Sequence, residues 1–387
     1  MINHYQYDCI IVGGGLSGSL LFYGLKSTHP NANILLLEKN SKLAGNHTWC
    51  FHEGDINKFE NDWIRDLISK SWDSYEVIFP RYQRTLNSPY HSIQSNKLHD
   101  LLIRKYPESI LLNSNISSLG ENEVKFSSGE TLKAHCIVDA RGWKKSESIP
   151  SGYQKFVGLD IKLKRPHGLK GVRLKDVRVE QIDGYRFVYI LPWNEDEVLV
   201  EDTYYSNSSE LNTHDIRNRI LSYVEREGWE VEAILREESG CLPLTSSFEI
   251  PKDNGPVKLG ARSGEYQPVT GYTFPQTFHR IHVLLSLKEM STEVWKQKLN
   301  QIQRQDKKQR AYFHFLNKLL FQAASPEKRY LILEHFYTLP ALIIERFYQG
   351  RLSAKDKIRI FVGKPPVSII QFLRVLVREC YRILGTY

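Results

Sequence analysis

The sequence, 387 residues long, predicts an α/β protein in which a Rossmann-like domain carries an inserted antiparallel β-sheet domain and a helical C-terminal region. Three observations predict this class. A glycine-rich turn follows an apolar run near the N-terminus, segments of alternating apolar and polar residues occupy the middle of the chain, and helical periodicity dominates from about residue 297 onward.

The glycine-rich turn predicts a bound dinucleotide. Residues 8–12 have the apolar pattern of a buried parallel strand. Four glycines follow this strand: Gly13, Gly14, Gly15 and Gly18. The first, third and fourth of them have the spacing of the dinucleotide-binding fingerprint, where they provide the tight turn, the close approach to a pyrophosphate and the close packing of helix on strand.

The segments after this turn complete the fingerprint. A helix predicted over residues 16–27 directs its N-terminal amides at the phosphates. A second apolar run, residues 33–37, ends at Glu38, where the fingerprint has a carboxylate that binds a ribose hydroxyl. A purely structural glycine turn is the alternative, but the order of strand, turn, helix, strand and acid favours the dinucleotide.

The predicted dinucleotide-binding domain is discontinuous in sequence. The domain comprises residues 1–50, 95–145 and 255–290, the substrate-binding domain comprises residues 51–94 and 146–254, and the helical, basic region comprises residues 297–387. In the middle piece, a predicted core strand ends at Asp139, and Gly142 follows it. This pattern predicts a second backbone turn against the cofactor, although a plain β-turn explains the same residues.

The inserted domain shows the alternation of antiparallel strands. Residues 185–191 and 197–204 flank a turn-like segment, which predicts a β-hairpin. A helix is predicted to follow, with Thr213 as its N-cap and its end at Gly228.

The composition excludes several classes of protein. A content of 41% hydrophobic and 25% charged residues is typical of a folded globular protein. The 5 cysteines lack a C-x-x-C pair and the 13 histidines lack metal-binding spacing, so neither a disulfide framework nor a metal site is predicted. No window reaches about 18 uninterrupted apolar residues, so no membrane-spanning helix is expected. The N-terminal stretch lacks the features of an export signal, and a cytoplasmic location is expected.

The positive charge lies in the C-terminal region. Residues 301–387 hold 16 basic and 6 acidic residues, whereas residues 1–300 hold 36 basic and 38 acidic residues. Within residues 367–384, arginines recur at steps of four among apolar residues, which predicts a basic amphipathic helix suited to anionic lipid. A helix packed on its own domain with a solvated arginine stripe is the alternative. Nucleic acid is not an expected partner, because the rest of the chain is nearly neutral and carries no recognisable binding module.

The carboxylate pair Glu201 and Asp202 is the main candidate for chemistry. Both acids lie in an otherwise apolar predicted strand. Successive strand side chains point to opposite faces, so one acid is expected to be chemical and the other structural. A carboxyl group in an apolar pocket has a raised pKa, which prepares it for proton transfer near neutral pH. A strand end that reaches solvent is the alternative.

Several strings along the chain resemble one family, the lycopene beta-cyclases of bacterial type, which are similar to flavoproteins with the glutathione-reductase-like FAD-binding fold. Besides the glycine-rich turn with Glu38, the matching strings are GNHTW (45–49), GYRFVY (184–189), VEDT (200–203), REESGCLP (236–243), PVTGY (268–272), ERFYQGRLS (345–353) and GKPPV (363–367).

This resemblance implies an activity and a set of site residues. The implied cofactor is FAD, and Glu201 matches the acid on which cyclisation is thought to depend. Thr270, Gly271 and Tyr272 belong to the segment that approaches the isoalloxazine ring. Two departures are visible, because Gln267 stands where relatives commonly have histidine, and alanine follows Gly260 where related flavoenzymes have aspartate.

The implied reaction converts the linear ends of lycopene to beta-ionone rings, through gamma-carotene to beta-carotene. It is a redox-neutral isomerisation that requires reduced FAD, with NADPH as the electron donor. An acid protonates the terminal double bond, the cation closes the ring, and a base removes a neighbouring proton. Glu201 as acid, as base or as cation stabiliser remains open.

The hydrocarbon substrate implies peripheral attachment to the inner face of the cell membrane, consistent with the basic C-terminal region. Two other functions remain open. One is an FAD- and NADPH-dependent monooxygenase of the aromatic-hydroxylase type, and the other is a flavoprotein without enzymatic activity that carries carotenoid or senses redox state.

Overall fold

A computed structural model describes residues 6–56, 62–143, 148–248, 255–362, 370–371 and 373–377. The strands in these ranges are β1 (Tyr7–Val12), β2 (Ile34–Leu37), β3 (Thr48–His52), β4 (Lys70–Trp72), β5 (Tyr75–Phe79), β6 (Tyr82–Leu86), β7 (Tyr90–Gln94), β8 (Ile110–Leu111), β9 (Ile116–Leu119), β10 (Glu123–Phe126), β11 (Thr131–Asp139), β12 (Ser148–Leu163), β13 (Val172–Asp176), β14 (Tyr185–Pro192), β15 (Glu197–Ser206), β16 (Val231–Phe248) and β17 (Val257–Lys258). The helices are α1 (Leu16–Thr28), α2 (Ser95–Lys105), α3 (Thr213–Arg226), α4 (Phe274–Leu285), α5 (Thr292–Gln322), α6 (Tyr330–Tyr337), α7 (Ala341–Tyr348) and α8 (Ala354–Phe361).

The first sheet has the architecture of a Rossmann-like domain. Its strand order is β8-β2-β1-β11-β10-β9, and β17 pairs with β11. Strand β1 is parallel to both β2 and β11, and β9, β10 and β11 form an antiparallel meander. Helix α1 connects β1 to β2, as the fingerprint predicts. These strands come from three separate stretches of the chain, because β8 to β11 and β17 follow long insertions.

The second sheet is built from the inserted segments. Its order is β16-β12-β15-β14-β13-β5-β6, and every pair is antiparallel except β13 with β5. The predicted hairpin is present as β14 and β15. The α/β class with an antiparallel insertion and a helical C-terminal region is therefore confirmed.

The two faces of this sheet are covered by different helices. Helix α3 packs on β12 and β15 through an aliphatic cluster that includes Val157, Val200, Ile220 and Val224, and this side is called the outer face. The opposite side, called the inner face, contributes aromatic residues to a second cluster with α5, α6 and α7. The sequence interpretation of the α3 N-cap is wrong. The cap is Asn212, whose side chain accepts a hydrogen bond from the amide of Asp215 at 3.2 Å. An asparagine oxygen reaches the amides of the first turn, so Asn212 caps the helix and Thr213 is its first helical residue.

Most of the predicted basic helix over residues 367–384 lies outside the described residues. Residues 370–371 and 373–377 are helical. Val375 is buried against Leu319 of α5 and against Ala323, the residue that follows α5. Large apolar side chains on this part of the surface are exposed. They are Leu342, Ile358, Phe361, Val362, Ile370, Leu373 and Val377. Among the described residues, no helix combines the length and the hydropathy that a membrane crossing requires.

Candidate active site

The glycine-rich turn is shaped by close packing at two positions and by open space at a third. At Gly13, with φ of 107°, a Cβ atom would lie 2.7 Å from the carbonyl carbon of Ala140. At Gly18, a Cβ atom would lie 1.9 Å from the carbonyl oxygen of Gly13. At Gly15, a Cβ atom would meet nothing within 4 Å, although this residue is the N-cap of α1 and no side chain caps the helix. The free space at a helix N-terminus fits a pyrophosphate.

Glu38 lies at the carboxyl end of β2, beside this turn. Its Oε2 accepts a hydrogen bond from the amide of Gly14 at 2.8 Å. Its Oε1 accepts bonds from the amide and the side chain of Asn40 at 2.9 and 2.8 Å. The carboxylate is thus fixed between the glycine turn and the loop that follows β2.

Asp139 and Gly142 lie at the carboxyl end of the neighbouring strand β11. The Asp139 carboxylate accepts two hydrogen bonds at 2.9 Å from the guanidinium of Arg141, and Arg262 lies 3.4 Å away. Burial raises the pKa of Asp139, but these arginines outweigh it and hold the pKa below its usual value. Gly142 has φ of 81° and open space at its Cβ position. The structure therefore brings Glu38, Asp139, Gly142 and the glycine turn together at one edge of the first sheet.

The loop formed by residues 267–272 is organised by Gln267. Its Oε1 accepts hydrogen bonds from the amides of Val269 and Thr270 at 2.6 and 2.7 Å, and its backbone bonds to Gly271 and Tyr272 at 2.8 Å. Gln267 is therefore a loop-forming residue. Its Nε2 is buried and has no protein partner among the described residues, so it is a free donor at this loop.

Glu265, an acid two residues before Gln267, is buried in the interior. Its Oε2 accepts a hydrogen bond from the amide of Gly260 at 2.9 Å, and its Oε1 lies 3.6 Å from Arg280. Burial raises the pKa of Glu265, although Arg280 opposes the rise. A cavity of about 80 Å³ lies next to this acid and is lined mainly by polar side chains from α4, α5 and the loop after α7. Its polar lining and its small volume do not suit a long hydrocarbon.

The loop is tied to the inner face of the second sheet. The hydroxyl of Tyr205 donates to the carbonyl of Thr270 at 3.4 Å, and a Cβ atom at Gly271 would lie 2.5 Å from Oε1 of Gln154. Tyr205 and Gln154 are directly paired in β15 and β12. Glu201 lies four residues before Tyr205 on the same strand and therefore on the same face.

The acids Glu201 and Asp202 lie on opposite faces of β15. Asp202 is fully buried on the outer face, where Arg186 Nε and Nη2 each donate to its carboxylate at 2.9 Å and the Tyr204 hydroxyl donates at 2.7 Å. These bonds satisfy the carboxylate, and Asp202 is a structural residue.

Glu201 is half-buried on the inner face, and its pKa is raised. The hydroxyl of Thr203 donates to its Oε1 at 2.6 Å. Burial raises the pKa of Glu201 from 4.5 to about 7, and the hydrogen bond from Thr203 and the charge of Lys175 only partly oppose this effect. Such a carboxyl group is able both to donate and to accept a proton near neutral pH.

The wall beside Glu201 is aromatic. Tyr189 pairs directly with Glu201 across the sheet, and its hydroxyl bonds to that of Tyr90 at 3.2 Å. Further along β14, the ammonium of Lys175 lies 3.6 Å from the ring centroid of Phe187. Burial lowers the pKa of Lys175 to about 7, whereas Glu201 acts to raise it. Ring faces that stabilise this cation are able to stabilise a cationic ligand in the same way.

A second carboxyl group on this face, Glu238, was not singled out from the sequence. Glu238 lies on β16 and is buried, and Arg236 Nη1 donates to it at 3.0 Å. Arg236 also donates to Asp160 at 2.6 Å and to Thr48 at 2.7 Å, so it connects the second sheet to the start of β3. Burial raises the pKa of Glu238, and the nearby charge of Glu201 adds to the rise. The sequence showed adjacent acids at positions 237 and 238 but not their faces.

No metal site is formed by the described residues, among which no three His, Cys, Asp or Glu side chains cluster suitably.

The fold is similar to that of solved structures named as a reductase-like protein and as an FAD-dependent monooxygenase. A geranylgeranyl bacteriochlorophyll reductase-like protein from Thermoplasma acidophilum matches with a TM-score of 0.65 and 12% identity, over 95% of this chain and 99% of that chain. PqsL from Pseudomonas aeruginosa, named a "probable FAD-dependent monooxygenase", matches with a TM-score of 0.56 and 14% identity, over 84% of this chain and 97% of that chain.

Sequence relatives define the family more narrowly. The model of the lycopene cyclase protein family matches residues 8–374. The lycopene beta-cyclase of Pseudescherichia vulneris is 37% identical over 94% of this chain and 95% of its own length, and that of Pantoea ananas is 33% identical over 96% and 98%. The chain belongs to the lycopene cyclase family, and it is an enzyme of that family.

Proposed function

We propose that this protein cyclises the linear ends of lycopene to beta-ionone rings, through gamma-carotene to beta-carotene, in carotenoid biosynthesis. The observation that carries the proposal is the position of Glu201, a carboxyl group with a raised pKa on an aromatic face that is connected to the 267–272 loop. The family match supports the substrate class. The reaction needs a proton donor beside an apolar chain and surroundings that tolerate positive charge, and this face provides both.

Glu201 is the proposed catalytic residue. As a neutral acid it donates a proton to the terminal double bond of the substrate, and the Thr203 hydroxyl orients the carboxyl group for this transfer. The rings of Phe187, Tyr189 and Tyr205 exclude water and present their faces to the carbocation. Water exclusion matters because water captures a carbocation before ring closure.

FAD in its reduced form is the proposed cofactor, with NADPH as the electron donor. The proposed binding residues are Gly13, Gly14, Gly15, Gly18, Glu38, Asp139, Gly142, Thr270, Gly271 and Tyr272. The open space at Gly15, the left-handed backbone of Gly142 and the free Nε2 of Gln267 fit such a group. When bound, reduced FAD supplies negative charge that stabilises a neighbouring cation.

The proposed domain division follows the two large sheets, and a third sheet, of order β3-β7-β4, lies across the proposed boundary between residues 50 and 51. Residues 1–50, 95–145 and 255–290 form the FAD-binding domain, and residues 51–94 and 146–254 form the substrate-binding domain. The C-terminal half of α5, together with α6 and α7, covers the inner face, whereas the N-terminal half of α5 packs in the core of the first sheet.

Attachment to the cytoplasmic side of the membrane is proposed for the surface formed by the described residues 342–362, 370–371 and 373–377. Seven large apolar side chains are exposed there, and residues 301–387 carry 16 basic against 6 acidic residues. Exposed apolar groups surrounded by basic ones favour an anionic lipid surface. A hydrocarbon substrate reaches the protein from that surface.

Anaerobic incubation with lycopene, FAD and NADPH tests the proposed function. Cyclic carotene is expected without oxygen, and Glu201→Gln is expected to retain FAD while it forms no product. The monooxygenase alternative, whose fold type is shared by PqsL, requires oxygen and predicts no product under these conditions. A carrier or sensor predicts unchanged lycopene with and without oxygen. Turnover by Glu201→Gln at the rate of the unsubstituted protein would remove this residue from the mechanism.

A further inference from the structure

Two carboxyl groups approach the same space across Gly158. Glu201 on β15 and Glu238 on β16 are both directly paired with this glycine of β12, so all three residues lie side by side on the inner face. A Cβ atom at Gly158 would lie 3.2 Å from Cγ of Glu238, 3.2 Å from Cδ1 of Leu199 and 3.4 Å from Cβ of Glu201. A larger residue at position 158 would therefore crowd both acids, whereas glycine lets their side chains lie close together.

The two acids flank the strand that carries Gly158. Adjacent strands are about 4.8 Å apart, so the backbones that carry the two acids are about 10 Å apart. Both side chains nevertheless converge to within 3.4 Å of the position of a Cβ atom at Gly158. A substrate end group that lies over Gly158 would therefore face both carboxyl groups.

The electrostatic surroundings favour one shared proton. Glu238 is buried and Glu201 is half-buried beside it, so both cannot be ionised without repulsion, and their titration belongs to the pair. Burial and the charge of Glu201 raise the pKa of Glu238 to about 8, and Arg236, 3.0 Å away, opposes this rise. The ionised form of Glu238, which accepts the proton, is the form that Arg236 stabilises. The other groups that act on the pair are Lys175, Asp160 and Asp202.

We propose that Glu238 is a second catalytic residue, which accepts the proton released by ring closure, while Glu201 donates the proton that starts it. This inference rests on the proposed cyclisation. The proton from Glu201 adds to C2 of the end group and leaves a cation at C1. The C5–C6 double bond attacks to form the C1–C6 bond, and the cation moves to C5. Glu238 removes the proton at C6, which restores the C5–C6 double bond. One proton enters and one leaves, and the pair is reset when the proton returns from Glu238 to Glu201.

The test compares Glu238→Gln with Glu237→Gln in the FAD-loaded protein. Glutamine keeps an acceptor for Arg236 but cannot take up the proton. Glu237 is the matched control, because it is adjacent but forms an ion pair with Arg217 of α3. We expect kcat to fall by about 10²–10⁴ in Glu238→Gln, with KM and FAD content unchanged. The control is expected to turn over like the unsubstituted protein, and Glu238→Asp is expected to recover part of kcat.

Two readouts separate a proton acceptor from a structural residue. Without the acceptor, the C5 cation also loses its proton from C4, so residual product is expected to contain ε-rings, which chromatography resolves. The acid limb of the pH profile of kcat reports the ionised form of Glu238, so Glu238→Gln is expected to lose this limb. The alkaline limb reports the protonated form of Glu201, so the variant is expected to keep it.

Three results would overturn the assignment of Glu238. These are a kcat within a factor of two of the unsubstituted protein, loss of the alkaline limb in place of the acid limb, or a drop in kcat of equal size in Glu237→Gln. Any of these combined with an inactive Glu201→Gln leaves the proposed function standing. Failure of the unsubstituted protein to cyclise lycopene would instead contradict the proposed function itself.

Discussion

Replacement of Glu201 by glutamine is expected to make the protein more stable while it abolishes cyclisation. Glutamine preserves the size of the side chain and an acceptor for the Thr203 hydroxyl. The native fold opposes ionisation of Glu201, because burial raises its pKa from 4.5 to about 7. The unfolded chain does not oppose it. Ionisation at alkaline pH therefore favours unfolding in the unsubstituted protein but has no counterpart in the variant.

The size of the gain follows from the pKa values. One pKa unit corresponds to about 1.36 kcal/mol, so the rise at Glu201 corresponds to about 3 kcal/mol. Between the unfolded and folded pKa values, from 4.5 to about 7, the native state binds more protons than the unfolded state. The free energy of unfolding of the unsubstituted protein consequently falls as the pH rises through this window. The variant lacks this decrease, so the difference is small near pH 4.5 and full above pH 7.

Urea unfolding at pH 5 and at pH 8, with the same FAD concentration throughout, measures this difference. We expect Glu201→Gln to be more stable by about 3 kcal/mol at pH 8 and by less than about 1 kcal/mol at pH 5. At pH 8, Lys175, with a pKa of about 7, is mostly neutral in the native state and does not offset the gain. Glu197→Gln, which changes an acid at the accessible start of the same strand, controls for the loss of one charge. Equal stability of Glu201→Gln and the unsubstituted protein at pH 8 would refute the argument that the ionised Glu201 carboxylate lowers the free energy of unfolding.

Three further substitutions test other parts of the structure. Asp202→Asn breaks a buried ion pair on the outer face, and a loss of about 3–5 kcal/mol in the free energy of unfolding is expected; a loss below about 1 kcal/mol would contradict its structural role. Gly15→Ala places a methyl group in the open space proposed for the pyrophosphate, so FAD affinity is expected to fall at least about tenfold with little change in stability. In Gly18→Ala, the added Cβ atom would lie 1.9 Å from a carbonyl oxygen, so this variant is expected to destabilise the protein itself. Ile358→Ser is expected to weaken cosedimentation with anionic vesicles about tenfold, because a side chain of this size contributes about 1.5–3 kcal/mol when it is buried in the lipid. Leu111, an exposed residue of the first sheet, provides the control. An equal effect of Leu111→Ser would show that the loss is not specific to the proposed surface.

Features set by short-range pattern were predicted from the sequence. The strand, turn and helix around Gly13 and Gly18 follow from local glycine spacing, and their packing explains why larger residues do not fit. The opposite orientations of Glu201 and Asp202 follow from the two-residue period of a strand. A strand end in solvent is excluded for Asp202, which is fully buried.

Features set by the order of strands were not predictable. Glu238 becomes a neighbour of Glu201 only because β12 lies between β15 and β16 in the sheet, and this pairing is distant in sequence. The roles of Gln267 and Glu265 depend on hydrogen bonds within one loop, for which the sequence offers no periodic signal. The α3 cap was misassigned because Asn212 and Thr213 both have side chains that cap helices.

The two faces of β15 divide stability from chemistry. On the outer face, burial also raises the pKa of Asp202, but Arg186 and Tyr204 oppose this rise with hydrogen bonds to its carboxylate. Removal of either partner of the Asp202–Arg186 pair therefore leaves a buried charge without compensation. On the inner face, burial disfavours the charged forms of Glu201, Glu238 and Lys175, and the fold carries them at a loss of stability. Substitution on the outer face should therefore lower stability without altering the products formed by the folded fraction. Substitution of the inner carboxyl groups should lower activity while stability is kept or gained. If the inner carboxyl groups only stabilised the fold, their neutralisation would instead lower the stability of the protein and leave the activity of the folded fraction unchanged.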